Sequence, residues 1–318
     1  MRIVNHNPIK SPFFLHSFEI IKAIRIFLLL AGVIAVVSCS HAQSEETPFD
    51  RAELQFDGDR AYANVQTQVN FGPRIPGSAA HRITGDWIAS QMRTSGWDIE
   101  FQEFQYGGYE LRNIIARAPG SELSNESIIL GAHYDTRLFA DLDEERPYDP
   151  VPGANDGASG VAVLIELARV LELDSIQNSI WFVFFDAEDN GRIAGWDWIL
   201  GSRYFVEEMD VKPEAAVIID MVGDSDLKLY FERNSDPQLR QEIWSAAENL
   251  DFEEFISQEK YSILDDHTPF LQAGIPAVDI IDFDYEFFHT TEDLPDKVSA
   301  ESLFTVGRTL EHWLEMAN

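Results

Sequence analysis

The stretch SIWFVFFDAED at residues 179–189 decides the fold class. Its six consecutive apolar residues (180–185) are typical of a strand that is buried on both faces. Three acids, Asp186, Glu188 and Asp189, follow directly. Burying carboxylates so close together is costly unless a cation compensates their charge. The stretch therefore predicts either a solvated loop or a metal site at the end of a buried strand.

Other segments of the chain repeat this pattern of apolar strands between amphipathic helices. Further apolar runs are SIILGAHYD (127–135), AAVIIDMVG (215–223) and IPAVDIIDF (275–283). The principal helical patterns cover residues 57–69, 80–93, 158–173, 236–250 and 299–316. Alternating segments at 97–106 and 110–120 predict two strands, of which the first has one solvated face. This order predicts an α/β three-layer sandwich with a mixed, largely parallel central sheet flanked by helices.

Composition limits the class of partner. The chain has 318 residues, 45% of them hydrophobic, with a net charge of -32 and a pI near 4.4. An acidic surface repels phosphate backbones, so nucleic acid is excluded as a partner. No low-complexity linker or repeat interrupts residues 51–318, which are expected to form a single catalytic domain.

The first fifty residues differ from the rest. Twelve apolar residues (26–37) follow a basic segment and have the length of a signal-peptide core. They are followed closely by Cys39, in a context that resembles a bacterial lipobox. Because Cys39 is the only cysteine of the chain, a disulfide within the chain is excluded. We expect a lipoprotein signal peptide at 1–38, lipidation of Cys39 and a polar tether at 39–50; ordinary secretory cleavage after residue 43 is the alternative. The protein would then be an exported lipoprotein of the bacterial cell envelope, held at the membrane by its lipid.

Acids and histidines recur where the apolar strands end. They are His133 and Asp135, then Asp186, Glu188 and Asp189, then Asp220, then Asp282, Asp284 and His289; Asp156 lies in a glycine-rich turn before a helix. Ligands bind beyond the carboxyl ends of parallel strands, so these side chains are expected at one edge. Histidine and carboxylate ligands without cysteine suit zinc better than manganese or iron.

Five short motifs give these residues a family context. HYDT, GANDGASG, FFDAED, IIDMVG and HTTED occur in the order and spacing of the M28 zinc aminopeptidases, a resemblance that covers about residues 55–318. GPRIPGS, DDHTPFLQAGIP and IIDFDYEFFHTTED resemble the glutaminyl-peptide cyclotransferase branch of that family. Those enzymes convert the N-terminal glutamine of peptides and proteins to pyroglutamate and release ammonia.

The resemblance implies a ligand set. Asp156, Asp189 and His289 would bind zinc, while His133 and Asp220 correspond to ligands of the second metal in two-zinc aminopeptidases. Asp189 departs from the glutamate that is common at its position. Because cyclases keep similar residues yet usually hold one zinc, the ligand set leaves one or two zinc ions open. Asp156 could also cap the helix that follows it.

The resemblance also implies catalytic and pocket residues. Glu188 would act as general base and acid, with Asp220 and Asp265 in its hydrogen-bond network. Asp266 is expected to cap the next helix, and Asp186 to support the site from behind, since it lies two residues before Glu188.

Pocket walls are expected from Trp196 and Phe288, with Trp198 equally consistent with the core; Phe288 stands where cyclases usually have tryptophan. Asp279 stands where animal cyclases carry a histidine. His267 is expected to be structural, and His81 and His312 are expected to be surface or packing residues.

Three functions follow from these residues. The first is a zinc-dependent glutaminyl-peptide cyclotransferase acting on peptide N-termini. The alternative is an M28 aminopeptidase with two zinc ions, in which Glu188 activates a water. The third is a non-catalytic binding lipoprotein, which would be expected to lack Glu188 or a ligand, and none is missing.

Overall fold

A computed structural model describes residues 55–316. The predicted signal peptide 1–38, Cys39 and the tether 39–50 lie outside these residues. Within the described range, no helix is both long enough and apolar enough to cross a membrane.

Six strands form the central sheet of the described residues. The described residues contain eight strands, of which β6 and β7 lie outside this sheet. In chain order they are β1 (Asp98–Tyr106), β2 (Tyr109–Arg117), β3 (Ser127–His133), β4 (Ser179–Phe185), β5 (Ala215–Asp220), β6 (Leu229–Phe231), β7 (Phe255–Glu259) and β8 (Ala277–Ile281). The sheet order is β1-β2-β4-β3-β5-β8, in which β4, β3, β5 and β8 run parallel and β2 runs antiparallel to both its neighbours. The carboxyl ends of the four parallel strands therefore meet at one edge.

Helices cover both faces of this sheet. They are α1 (Gly58–Asn70), α2 (Ala79–Thr94), α3 (Ala158–Val170), α4 (Leu200–Glu207), α5 (Pro237–Asn249), α6 (His267–Gln272) and α7 (Ala300–Met316). Alternate residues of each strand enter different cores: Leu130 packs with α1, α3 and α7, whereas Ile129 packs with α4 and α6. The predicted three-layer α/β fold with a largely parallel sheet is confirmed.

One element of the described fold was not predicted. Strands β6 and β7 pair in parallel as a separate two-stranded sheet. Both are short, and the polar residues around them interrupt the apolar pattern. This small sheet precedes the segment 261–265, which lines the candidate site.

The turn after β4 breaks the alternation of a strand. Ala187 has a positive φ of 58°, in the left-handed region that non-glycine residues rarely adopt. Side chains on either side of Ala187 therefore do not keep the two-residue period of β4. Asp186 and Glu188 consequently point to different places, although they are two residues apart.

Candidate metal centre and active site

The predicted ligands converge at the carboxyl edge of the sheet. His133 and Asp220 are the last residues of β3 and β5, Asp189 follows β4, and His289 follows β8. Asp156 lies in the turn before α3. All five residues are buried. The topology thus brings together side chains that are up to 156 positions apart in sequence, from His133 to His289.

His133 is the centre of a first ligand group. Its Nε2 lies 3.1 Å from Asp156 Oδ1 and 3.1 Å from Asp220 Oδ1. Gly157 allows this arrangement, because a Cβ at that position would lie 2.6 Å from the imidazole Nε2 of His133. The glycine after Asp156 is therefore a steric requirement of the site.

His289 is the centre of a second ligand group. Its Nε2 lies 2.8 Å from Asp189 Oδ1 and 3.7 Å from Asp156 Oδ2. In each group, one ligand atom from each residue lies within 4.8 Å of the others, close enough to hold a metal ion. Asp156 belongs to both groups and offers a different oxygen to each.

Buried atoms without partners fit this assignment. Among the described residues, Asp156 Oδ2 and Asp189 Oδ2 are buried and accept no hydrogen bond. A buried, unsatisfied carboxylate oxygen is costly, and a metal ion would satisfy both atoms. The donor set of histidine and aspartate also suits zinc.

Burial governs the charge of the acids at this edge. Burial raises the pKa of Asp189 to about 6 and that of Asp220 to about 7. Burial likewise raises the pKa of Glu188 well above its usual range, and although His133 opposes this effect, Asp189 and Asp265 reinforce it. For Asp156, burial is outweighed by the imidazole of His133, and the pKa is lowered. Burial thus favours the protonated forms of Glu188, Asp189 and Asp220, and Asp156 is the exception.

Asp135 holds the turn that carries Glu188 and Asp189. Its Oδ1 accepts a hydrogen bond from the backbone N–H of Glu188 at 2.9 Å. Its Oδ2 accepts bonds from the backbone N–H of Asp189 at 3.3 Å and from Asn190 Nδ2 at 3.2 Å. The strand-end position of Asp135 had left its role open, and these contacts identify it as a support.

Asp293 supports Asp156 in a similar way. Its carboxylate accepts hydrogen bonds from the backbone N–H groups of Asn155 and Asp156 at 2.8 and 3.1 Å, and from the Tyr285 hydroxyl at 2.7 Å. Sequence reasoning missed this residue, which is the last of HTTED. Its position inside a motif that already contains His289 was the available signal.

A cavity of about 460 Å³ opens beside the ligands. Glu188, Asp220 and Asp265 line it together with the ligands Asp156, Asp189 and His289. Its other walls are Arg137, Asp141, Arg192, Trp198, Met221, Ile281, Phe283, Phe288 and the segment 261–264. All three predicted catalytic acids therefore face the same space as the second ligand group.

The structure corrects one predicted pocket residue. Trp196 does not line this cavity but packs against Tyr106 and Tyr109, at ring distances of 5.5 and 5.1 Å. Trp198 lines the cavity instead, and its indole lies parallel to the His289 ring at 6.2 Å. Phe288 lines the cavity as predicted and stacks on His289 at 3.6 Å.

The helix caps also differ from expectation. Gly157, not Asp156, is the N-cap of α3. Asp266 is the N-cap of α6 as expected, but its carboxylate makes no capping hydrogen bond. It accepts a hydrogen bond from the Ser202 hydroxyl at 2.5 Å instead.

Behind the cavity lies a buried layer of charged groups. His267 is fully buried between Glu232 and Asp279, with Nε2–Oε2 and Nδ1–Oδ2 distances of 3.4 and 3.6 Å. Its predicted structural role agrees with this position.

Asp186 does not support the metal centre. It accepts hydrogen bonds from the Arg112 backbone N–H and the Tyr134 hydroxyl, and its Oδ1 lies 2.7 Å from His81 Nε2. The expected role for Asp186 is therefore wrong, because the left-handed Ala187 turns the chain between it and Glu188. His81 is a buried packing residue that stacks on Tyr134.

The sheet edge and its two ligand groups define a metal-dependent enzyme of the zinc exopeptidase fold. Residues 113–314 match the family described as Peptidase family M28, and the chain belongs to this family. The M28 resemblance, the enzyme class and the metal-binding character predicted from the motifs are thereby confirmed.

Proteins named as glutaminyl cyclases and a protein named as an aminopeptidase are both similar to this chain. The crystal structure of Porphyromonas gingivalis glutaminyl cyclase is 35% identical, with a TM-score of 0.77 over 83% of this chain and 99% of that one. A glutaminyl-peptide cyclotransferase of Drosophila melanogaster is 27% identical over 70% of each chain. Aminopeptidase YwaD of Bacillus subtilis (strain 168) is 31% identical over 62% of this chain, but the match spans only 42% of that protein.

Proposed function

We propose that the protein is a zinc-dependent glutaminyl-peptide cyclotransferase that converts the N-terminal glutamine of peptides to pyroglutamate. The observation that carries this proposal is the buried Glu188, with its raised pKa, in the cavity that the ligands line. The match to a bacterial glutaminyl cyclase, which covers 99% of that protein, supports it. Cyclisation needs one group that accepts a proton and returns it to ammonia, and Glu188 suits that role.

Asp156, Asp189 and His289 would hold the zinc ion. When bound, zinc supplies a Lewis acid for the γ-carbonyl oxygen of the substrate glutamine. Glu188 takes a proton from the substrate α-amine as that nitrogen attacks the amide carbon and the new C–N bond forms. Glu188 then delivers this proton to the departing amide nitrogen, which leaves as ammonia when the old C–N bond breaks.

Neighbouring groups hold Glu188 and the substrate in place. Asp135 fixes the backbone of Glu188. Burial and the nearby Asp265 raise the pKa of Glu188, which makes its carboxylate a stronger base toward the substrate amine. Trp198 and Phe288 flank His289 and would fold the glutamine side chain back toward its own amine. Such positioning accounts for much of the rate of an intramolecular reaction.

One observation favours a second function, that of an aminopeptidase with two metal ions. Asp156 offers one oxygen to the His133 group and the other to the His289 group, as a carboxylate shared by two metals would. Glu188 would then activate a water instead of the substrate amine.

Two peptides separate these functions. The purified protein is incubated with Gln-Ala-amide and with Leu-Ala-amide, and ammonia and free leucine are measured. The cyclotransferase releases ammonia from the first peptide and leaves the second intact. Free leucine without ammonia would instead establish the aminopeptidase.

We further propose that the chain is an exported bacterial lipoprotein anchored through Cys39. The apolar segment 26–37 before that single cysteine supports this location. Cell fractionation tests it: the native protein should sediment with membranes, and Cys39→Ala should release it. Membrane attachment of the variant would contradict lipid anchoring.

A further inference from the structure

Arg192 is a charged side chain of the cavity that the proposed reaction does not use. Two arginines, Arg137 and Arg192, line the cavity, and no lysine does. They differ in what they bind, and that difference points to a role for one of them.

Arg137 is fully occupied within the protein. Its Nε and one terminal nitrogen each donate to Asp141 at 2.7 Å, and its other terminal nitrogen donates to the backbone oxygen of Asp189 at 2.6 Å. Its guanidinium also lies 4.8 Å from the Trp198 ring. Arg137 therefore holds the loop that carries a metal ligand.

Arg192 is exposed, and its guanidinium makes no hydrogen bond or ion pair within residues 55–316. The five donors of this guanidinium thus have no partner among the described residues. An unpaired guanidinium beside a binding cavity is suited to bidentate recognition of a carboxylate.

The loop that carries Arg192 is held firmly. The backbone N–H of Arg192 donates to Trp196 at 2.8 Å, and that of Trp196 donates to Ile193 at 2.9 Å. Asn190, at the start of the loop, donates to Asp135 Oδ2, and Trp196 at its end packs against Tyr106 and Tyr109. Arg192 itself has a left-handed φ of 65°. These contacts fix the backbone position from which the side chain of Arg192 extends.

The acidic lining of the cavity makes the positive charge of Arg192 relevant to substrate binding. Six acids line the cavity: Asp141, Asp156, Glu188, Asp189, Asp220 and Asp265. An acidic substrate approaching this cavity, on a chain of net charge -32, meets repulsion that a positively charged contact would offset.

We propose that Arg192 binds a carboxylate of the peptide substrate beyond its N-terminal residue, so that peptides with an acidic group near the N-terminal glutamine are preferred. This inference rests on the proposed function only in taking glutamine as the N-terminal residue of the substrate. The carboxylate can be an acidic side chain at the second position or the C-terminus of a dipeptide.

The test compares substrate pairs that differ only in one charge. kcat/KM is measured for Gln-Glu-Ala-amide against Gln-Gln-Ala-amide, and for Gln-Ala against Gln-Ala-amide. We expect the acidic member to be favoured about twofold to fivefold, mainly through KM, because an ion pair with an exposed guanidinium has that order of strength. The first pair reports a side-chain carboxylate and the second a C-terminal one. Salt should reduce the preference.

Variants assign this preference to one residue. Arg192→Gln should bring both ratios close to unity, and Arg192→Lys should restore part of them. Arg203→Gln removes the same charge from an exposed position of α4 that does not line the cavity, and it should leave the ratios unchanged. Ratios near unity in the native protein, or ratios that Arg192→Gln leaves unchanged, would overturn the proposal.

Failure of the proposed reaction is separately visible. If the protein releases leucine and no ammonia, the same ratio is measured with Leu-Glu-Ala-amide against Leu-Gln-Ala-amide. A preference that disappears in Arg192→Gln would then uphold the role of Arg192 although the cyclotransferase function had failed, and an unchanged ratio would overturn it.

Discussion

Asp135 Oδ1 accepts a hydrogen bond from the backbone N–H of Glu188 at 2.9 Å, so a residue just after β3 fixes the proposed catalytic acid, which follows β4. The same carboxylate also holds the backbone N–H of Asp189. One side chain therefore fixes the backbone of both the proposed metal ligand Asp189 and the proposed proton carrier Glu188.

Asp135→Asn should weaken zinc binding and lower kcat/KM, each by about 10-fold to 100-fold, as loss of ligand-supporting contacts commonly does. An amide offers one acceptor oxygen where the carboxylate offers two, so at least one of the backbone donors loses its partner. Competition with a chromophoric chelator measures the zinc affinity. Asp197→Asn, at an exposed site on the neighbouring loop, serves as the control and should match the native protein.

Glu188→Gln should lower the rate of ammonia release by about 10²-fold to 10⁴-fold, the range typical of a lost general acid–base group. Zinc content should not change, because Glu188 belongs to neither ligand group. Steady-state kinetics and metal analysis of the same preparation test both points. Loss of zinc from the variant would make Glu188 a ligand and refute its assigned role.

The two ligand groups predict different metal losses. Asp156→Ala should abolish zinc retention, since Asp156 is the residue common to both groups. His133→Ala should retain zinc if a single ion is held by Asp156, Asp189 and His289, as proposed. Zinc per chain is measured after dialysis with limiting chelator. A loss of one ion from an initial two in His133→Ala would support the two-metal aminopeptidase.

Trp198 and Trp196 form a matched pair for testing the pocket. Trp198→Ala removes a cavity wall that lies against His289, and it should raise KM by about tenfold, the equivalent of one lost aromatic contact. Trp196→Ala should raise KM less than Trp198→Ala does and lower the free energy of unfolding by about 2 kcal/mol, because it loses contacts with Tyr106 and Tyr109 and packing against the cluster of Leu111, Ala187 and Leu200. Equal effects on KM would contradict the placement of the two rings.

Glu232 predicts a pH-dependent contribution to stability. Burial tends to raise the pKa of Glu232, but His267 and the backbone N–H of Ile263 outweigh this effect and lower the pKa to about 2. A lowered carboxyl pKa stabilises the folded state above the unfolded value of about 4.5 and loses this effect as pH falls toward 2.

Glu232→Gln should therefore lower the free energy of unfolding by about 2 kcal/mol at pH 7, as expected for hydrogen bonds to a charged acceptor. The difference from the native protein should shrink below pH 4.5. Urea unfolding at several pH values measures it, with the exposed Glu253→Gln as control. A difference independent of pH would show that the charge of Glu232 is not involved.

Much of this fold follows from hydrophobic pattern. The runs that become β3, β4, β5 and β8 are apolar at nearly every position because both faces of the sheet are covered by helices. Strands β6 and β7 could not be predicted in this way, since a short two-stranded sheet has few buried positions.

Ligands at strand ends could be predicted from the hydrophobic pattern, whereas the ligands in loops, Asp156, Asp189 and His289, were predicted only from the resemblance to the family. His133 and Asp220 occupy the last positions of β3 and β5, so their convergence follows from parallel pairing. Asp186 and Trp196 were misassigned because left-handed residues, Ala187 and Arg192, turn the chain near them. Their backbone conformation depends on tertiary contacts such as the hydrogen bonds of Asp135, and no local sequence signal encodes it.

The most direct test of the central claim is the product that the purified protein forms from the single peptide Gln-Leu-Ala-amide, analysed by mass spectrometry. We expect an intact peptide that has lost one ammonia and carries a pyroglutamyl N-terminus, formed about 10²-fold to 10⁴-fold more slowly by Glu188→Gln. Formation of Leu-Ala-amide and free glutamine instead would contradict the cyclotransferase assignment.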